Sequence, residues 1–492
     1  MELIFLQSVY LVGFVFLTLM SYQEKKYKII FLSPFLGIGI YTIFVFLIIV
    51  VDISMKLWSL HFMIFVFYFF VYVYLINLKN HSFSINFYEI LKTLLSGFAL
   101  VFFVYHISKY LEVYTFLKTD SATNIGLAHY FSNNGELISL LFQVRQILIP
   151  SLLMLGKLFS GEVTFIVFPF FSIWFGICFS YFIYLIFNKN RLSQNVPISL
   201  ILSFILITNK QYLVHSFYVG EHLFASIFLF LCIYFLNEYQ KFYTNNSLII
   251  SAIFLSLFVI SRREAIIFII IPIMLYLLIN HNKNNKTKFI FLKIVSLMLI
   301  PIYCLGFITV VDNWYLDIIN YTSKGKNVIT YLTLILFIII TYSFFIILLI
   351  KKAFSKIYYI LPNIIYLGSF LSLIIFSFIF SEKMIPSFIA TINNLFNYQM
   401  WGLTWYLIPI IIIMLVYSSK INVNDIFLFS GINIFIFQFL LVLGRVPYRE
   451  GWGDSFNRMA IHVLPLFIFF IINSLIEINQ KKLRLIEELD NK

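Results

Sequence analysis

The sequence predicts an all-α fold, a polytopic transmembrane helical bundle of about 13–15 spans with short amphipathic interfacial helices in its first large external loop. Three observations lead there. Of 492 residues, 62% are hydrophobic, 20% aromatic and only 11% charged, and the mean hydropathy is +0.97. Apolar runs long enough to cross hydrocarbon recur along the whole chain. The short segments between them alternate in charge.

A soluble domain carries about 25% charged residues, so this chain has too little polar surface to cover a water-soluble core of its size. A cytosolic enzyme, a secreted disulfide scaffold and a disordered tail are excluded together. The excess of 34 Lys and Arg over 21 Asp and Glu gives a net charge of +13. In a soluble protein that would raise the question of nucleic acid. Here it is the expected flanking of membrane spans, and no basic–aromatic stripe stands apart, so no nucleic-acid partner is expected. Cys178, Cys232 and Cys304 are isolated in apolar stretches and read as packing residues. The first apolar run starts directly behind Glu2 with neither a basic leader region nor a small-residue cleavage site, which reads as a retained span.

Taken in order, the runs are 3–21, 29–51, 58–77, 88–107, 163–187, 196–213, 222–236, 247–260, 265–280, 289–311, 329–350, 358–380, 403–417, 426–444 and 461–478. A helix needs roughly 17–25 residues to cross the hydrocarbon. The polar breaks between 196 and 280 are small, so span boundaries there are the least defined. One set of alternate loops holds Lys25, Lys26 and Lys28, then Lys189 and Arg191, Lys283 to Lys288, Lys351 to Lys356, and the tail Lys481, Lys482 and Arg484. The other set is longer and holds most acids, including Asp120, Glu136, Glu162, Glu221, Glu264, Asp312, Glu382, Glu450 and Asp454. The positive-inside rule makes the first set cytoplasmic. The reading is therefore a multi-pass protein of the cytoplasmic membrane, with its N-terminus outside and its C-terminus in the cytoplasm. It divides into N-terminal helices (1–107), an external loop with interfacial helices (108–162), a core transmembrane module (163–311) and C-terminal helices with external loops (312–492).

The external loop 108–162 carries the most information. It runs Lys118-Thr119-Asp120-Ser121, then Ile125 to Phe131, then Asn133-Asn134-Gly135-Glu136. Thr119 or Asp120 suits a helix N-cap, Ile125, Leu127, Ala128, Tyr130 and Phe131 suit a short helix lying in the interface, and Asn-Asn-Gly ends it. A second interfacial helix is expected from Leu137 through Arg145 and Pro150 to Phe159. Three further stretches place charge beside apolar runs on the same side: His215 to His222, including Glu221; Ser261-Arg262-Arg263-Glu264; and Gly453-Asp454-Ser455-Phe456-Asn457-Arg458-Met459 with His462. Basic residues at a non-cytoplasmic span end, such as Arg262 and Arg263, suggest an anion or a paired carboxylate. Trp58, Trp314, Trp401 and Trp405 read as an aromatic belt.

An acid directly after a span, a small-residue amphipathic helix, a Gly turn, then Arg and Pro before the next span resembles the first external loop of the GT-C superfamily. These are integral-membrane glycosyltransferases, among them the protein O-mannosyltransferase-like and aminoarabinose-transferase-like branches. Glu221 at the mouth of a span, the Arg262-Arg263-Glu264 group and the late Ser-x-Asn-Arg-Met run resemble later family positions. The resemblance covers roughly 105–280 and 445–470. The chain departs from the family in placing about four spans before the acidic loop.

The resemblance implies transfer of a sugar from a polyprenyl-phosphate-linked donor to a glycan, lipid or protein acceptor outside the membrane. It implies Asp120 as the base and Glu221 as a second catalytic acid. Physically, inversion at the anomeric carbon through an oxocarbenium-like state requires a carboxylate within reach of the attacking hydroxyl. The departing phosphate requires a cation, best an arginine fork. Arg458 is the first candidate, followed by Arg449, Arg263 and Arg145. No cofactor is read from the sequence, and a divalent metal ion stays open as an aid in holding the departing phosphate. His215 and His222 are the weak candidates for a divalent metal ion, lone interfacial histidines being commoner than ligands. Membrane lipids are expected around the apolar faces. The competing reading is a cell-envelope polysaccharide repeat-unit polymerase, which would rest on the arginines more than on Asp120. A lipid-linked-sugar flippase or transporter is less favoured, because mid-span charges are few and no inverted repeat is visible.

Overall fold

The computed structural model describes residues 1–20, 26–50, 55–79, 87–117, 119–134, 147–189, 196–262, 265–280, 290–299, 355–379, 381–419, 425–443 and 455–490. Those residues form an all-α bundle. Five helices among them are long and apolar enough to cross a membrane: Glu2–Leu19, Tyr27–Ile49, Phe87–Tyr114, Val167–Phe187 and His222–Phe242. Phe456–His462 and Leu464–Ile478 pass the same test as a pair bent by 41°. Shorter apolar helices fill in between, such as Asn245–Ser261, Thr404–Tyr417 and Ile426–Leu440. The chain is a multi-pass membrane protein.

The first pair shows what holds such a bundle together. Helices α1 (Glu2–Leu19) and α2 (Lys26–Val50) are apolar on all sides, so hydrophobicity alone cannot choose a face in lipid. Gly13 and Gly37 choose it. A Cβ on Gly13 would lie 1.8 Å from the Ser33 carbonyl oxygen, and one on Gly37 would lie 1.8 Å from that of Val9. Backbone meets backbone, and van der Waals contact supplies the association. Helix α3 (Leu57–Lys79) leaves Phe62, Phe65, Phe69 and Phe70 exposed, the face lipid would wet.

Hydrogen bonds mark two ends of the bundle. At the Glu2 end, helix α4 (Phe87–Leu111) brings Lys109 within 2.8 Å of Glu2 and 2.9 Å of Glu112. Thr164 donates to both carboxylates, at 2.8 and 3.1 Å, and the Phe165 N–H donates to Glu112 at 2.9 Å. At the opposite, Lys28 end, the ammonium of Lys28 is paired with Glu238 at 2.5 Å, and Asn246 donates to the Met20 carbonyl. Lys28, which the charge alternation assigns to a solvated loop, is 4% exposed. Its ammonium lies over the rings of Tyr234 and Phe235, at 5.8 and 5.9 Å from their centroids.

Four expectations are corrected. The 196–213 run is two helices, α8 (Val196–Ile207) and α9 (Lys210–Phe217). Asn209 breaks it, accepting from the Gln211 and Tyr212 N–H groups as an N-cap, which stops a continuous helix. The 265–280 run is likewise split, into α12 (Ala265–Phe268) and α13 (Ile270–Asn280). The 137–146 part of the second expected interfacial helix lies outside the described residues, and its later part is α6 (Leu148–Ser160), with Leu148 through Gly156 buried. It packs against α1, α2 and α5 (Thr119–Asn134), as core rather than interface. Trp401 and Trp405 are 1% and 5% exposed, so neither belongs to an aromatic belt, whereas Trp58 is exposed and Trp314 lies outside the described residues.

Candidate functional site

The Glu2 end also gathers the chemistry-bearing stretches. Helix α10 (His222–Phe242) starts there, and α11 (Asn245–Ser261) returns to it, delivering Arg262 just past its last turn. Helix α7 (Val167–Lys189) holds α9 through Tyr212, which donates to the Ser172 carbonyl, and through the Ser172–Ser216 hydroxyl pair at 2.5 Å. The bent pair of α20 (Ser455–Met459) and α21 (Leu464–Asp490) supplies Arg458 and, in the 3-10 turn Ala460–His462, His462. Ser226 fastens that turn to α10 by donating to the Ile461 carbonyl at 2.9 Å.

Together these elements enclose a cluster of three imidazoles and two guanidinium groups. Arg262 Nη1 lies 2.7 Å from each ring nitrogen of His222. His222 Nδ1 lies 3.3 Å from His462 Nε2, with the two rings stacked at 5.4 Å. His462 Nδ1 meets Gln438 Nε2 at 3.0 Å, from α19 (Ile426–Leu443). The His215 ring is 5.0 Å from that of His222. His215, His222 and His462 are at most 3% exposed and Arg262 is 7% exposed. Burial first, then the charges of Arg458 and Arg262, push His215 down to about 3. At neutral pH it is therefore an uncharged ring in a cationic field.

Helix α5 reaches the same place. The Phe116 N–H donates to the Phe217 carbonyl at 2.9 Å, in a single parallel bridge between Phe116 and Tyr218. Ser121 Oγ donates to the Val219 carbonyl at 2.9 Å. This joins the first turn of α5, whose backbone includes Asp120, to the 218–221 turn that ends in Glu221, the N-cap position of α10. Sequence separation there is about one hundred residues, so this is tertiary information.

The sequence candidates distribute as follows. Glu221, His215, His222 and Arg458 lie in the cluster or at its rim, and only the backbone is described at Asp120. Arg145, Arg263 and Arg449 lie outside the described residues. Of the Arg262-Arg263 pair, Arg262 is the one seen against His222. Gln438 was not legible as a site residue, since a glutamine inside an apolar run gives no spacing signal. His462 was visible only as a companion of the Arg458 stretch. The cluster is poorly suited to a metal ion, because a guanidinium against both nitrogens of His222 would repel a cation. Among the described residues no group of three or more His, Cys, Asp or Glu side chains could hold one. What the cluster can do chemically is receive an anion, with arginine forks as donors. Compared with known families, curated proteins and solved structures, the chain matches no family model, no curated protein and no solved structure.

Proposed function

We propose that this protein is a membrane glycosyltransferase that moves a sugar from a polyprenyl-phosphate-linked donor to an acceptor hydroxyl, with inversion. The observation carrying this reading is the cationic cluster of Arg262 and Arg458 around His215 and His222, set against the turn that links Glu221 to the start of the Asp120 helix. In this reading the arginines hold the leaving phosphate as negative charge grows on it. Asp120 accepts the proton of the attacking acceptor hydroxyl, and Glu221 assists from the opposite side of the turn. The C1–O bond to phosphate breaks as the bond from the acceptor oxygen forms. The polyprenyl chain lies along apolar helix faces. The Glu2 end then faces outside and the Lys28 end the cytoplasm, as the loop charges favour.

A polysaccharide repeat-unit polymerase is the second reading, supported by the pairing of two arginines near one imidazole, which suits a diphosphate-linked donor. One experiment tests both. The full-length protein is reconstituted with polyprenyl-phosphate- and polyprenyl-diphosphate-linked sugars, and release of the lipid carrier is followed. Release of polyprenyl phosphate that Asp120→Asn abolishes supports transfer. Release of polyprenyl diphosphate indifferent to Asp120→Asn supports polymerisation. Release of neither overturns both.

A further inference from the structure

Helix α16 (Ser381–Leu395) is amphipathic in the sense opposite to a soluble helix. Ile385, Phe388, Ile389 and Ile392 are exposed, while Ser387, Thr391 and Asn394, spaced four and three residues apart, are at most 6% exposed. In a membrane protein such a helix turns its apolar face to lipid and its polar stripe to the interior. Helix α16 packs against the helix Ser355–Ile379 and against α20, α19 and α17 (Tyr398–Trp401). Trp405, on α18 (Thr404–Ser419), stands beside Trp401 at 5.6 Å and Phe435 at 5.2 Å. Phe435 and Gln438 share a face of α19, and Phe435 packs on Phe456 of α20 at 5.1 Å.

Thr391 Oγ1, Trp405 Nε1 and Gln438 Oε1, on α16, α18 and α19, are buried polar atoms with no hydrogen-bond partner among the described residues. Leaving such atoms unmet costs about 1–3 kcal/mol each, so a ligand that meets them is rewarded. Their chemistry is selective. The indole offers only a donor, the amide oxygen only an acceptor, and the hydroxyl can be either. A phosphate has no hydrogen for Gln438 Oε1, and a cation has no acceptor for the Trp405 N–H. Alcohol groups satisfy all three, because each hydroxyl both donates and accepts. None of the three side chains is charged, so the ligand is neutral. Asn457, one residue before Arg458, accepts from the Trp401 N–H at 2.5 Å, which makes this lining continuous with the cationic cluster.

We infer that Thr391, Trp405 and Gln438 form a subsite for a neutral saccharide, so that the acceptor is a glycan rather than a protein or a lipid headgroup. The naming of it as the acceptor rests on the transferase reading; saccharide binding itself does not. The test uses the full-length protein in nanodiscs and four probes, the neutral tetrasaccharides of glucose, N-acetylglucosamine, mannose and galactose. Binding is followed by saturation-transfer NMR. At least one probe should saturate below about 10 mM. Thr391→Val and Trp405→Phe should each weaken it about fivefold, the size of one neutral hydrogen bond. Thr391→Val, close to isosteric and removing no bond within the protein, should not lower the thermal midpoint, whereas Trp405→Phe also loses ring packing against Trp401 and Phe435 and is compared at temperatures below its own midpoint. Saccharide binding without lipid-carrier turnover would sink the transferase reading and keep the subsite. No saturation by any probe, variants that bind like wild type, or displacement of the probe by a neutral Ser/Thr-containing tetrapeptide would overturn the inference.

Discussion

Buried cations at the two ends of the bundle are treated differently. At the Lys28 end, an ammonium 4% exposed sits against a carboxylate, Glu238, so the charge is cancelled where it stands. At the Glu2 end, Arg262, 7% exposed, lies against the His222 imidazole, while Arg458 adds a second positive charge to the field at His215. The first arrangement locks helices α2 and α10 together. The second gathers two guanidinium groups beside imidazoles from three elements, the arrangement on which the proposed hold on a substrate anion rests. The difference teaches that a buried charge should be judged by what faces it. A pair is architecture; a cationic cluster beside polar turns is a place to bind.

Breaking each side of that contrast should give separable results. The largest effect is expected from Asp120→Asn, which should cut transfer by about 10³-fold, within the range for loss of a general base, while the thermal midpoint stays put. Next, Glu238→Ala should take the carboxylate away from buried Lys28 and destabilise the protein by about 3–5 kcal/mol, read from denaturation in detergent, with turnover of the surviving folded protein unaltered. Arg262→Lys keeps the charge and loses the planar fork. We expect about 10–100-fold weaker donor use, seen as a raised KM for the lipid-phosphate substrate, and little change in stability.

A smaller effect follows from His215. Its folded-state value lies near 3, below the ordinary value of 6.5, so the unfolded chain binds the extra proton. Stability is complete above pH 6.5 and falls as pH drops from there toward 3, by at most about 1.4 kcal/mol per pH unit from this group. Thermal midpoints between pH 7.5 and 5 should decline accordingly, and His215→Phe should flatten that decline. The smallest effect is at Gly402, where φ is +58° at the junction of α17 and α18 with nothing within 4 Å of an added Cβ. Gly402→Ala should cost about 1 kcal/mol through backbone strain alone.

Much of the bundle was legible in the sequence because hydropathy is written locally. The runs at 3–21, 29–51, 88–107 and 163–187 each correspond to a long apolar helix. What hydropathy misses is a polar residue whose role is tertiary. Asn209 reads as a mild interruption of an apolar run, yet it caps α9 and also donates to Thr404, nearly two hundred residues on. Lys28 counts as a loop cation until Glu238 is seen beside it. Trp401 and Trp405 fit a belt by position, and only packing shows them inside. The cluster was half legible: Arg458, His215, His222 and Glu221 stood out as charge or imidazole at span ends, whereas Gln438 and the Thr391 stripe carry no mark outside three dimensions.

The central claim, that the cluster at the Glu2 end holds a lipid phosphate, is tested most directly by photolabelling. The reconstituted protein is exposed to a polyprenyl phosphate bearing a diazirine beside the phosphate, and labelled peptides are mapped by mass spectrometry. The account predicts labelling confined to segments around 209–226, 258–262 and 455–464, competed by unmodified polyprenyl phosphate and much reduced in Arg262→Lys. Labelling that spreads along the lipid-facing helices, or that Arg262→Lys leaves unchanged, would contradict it.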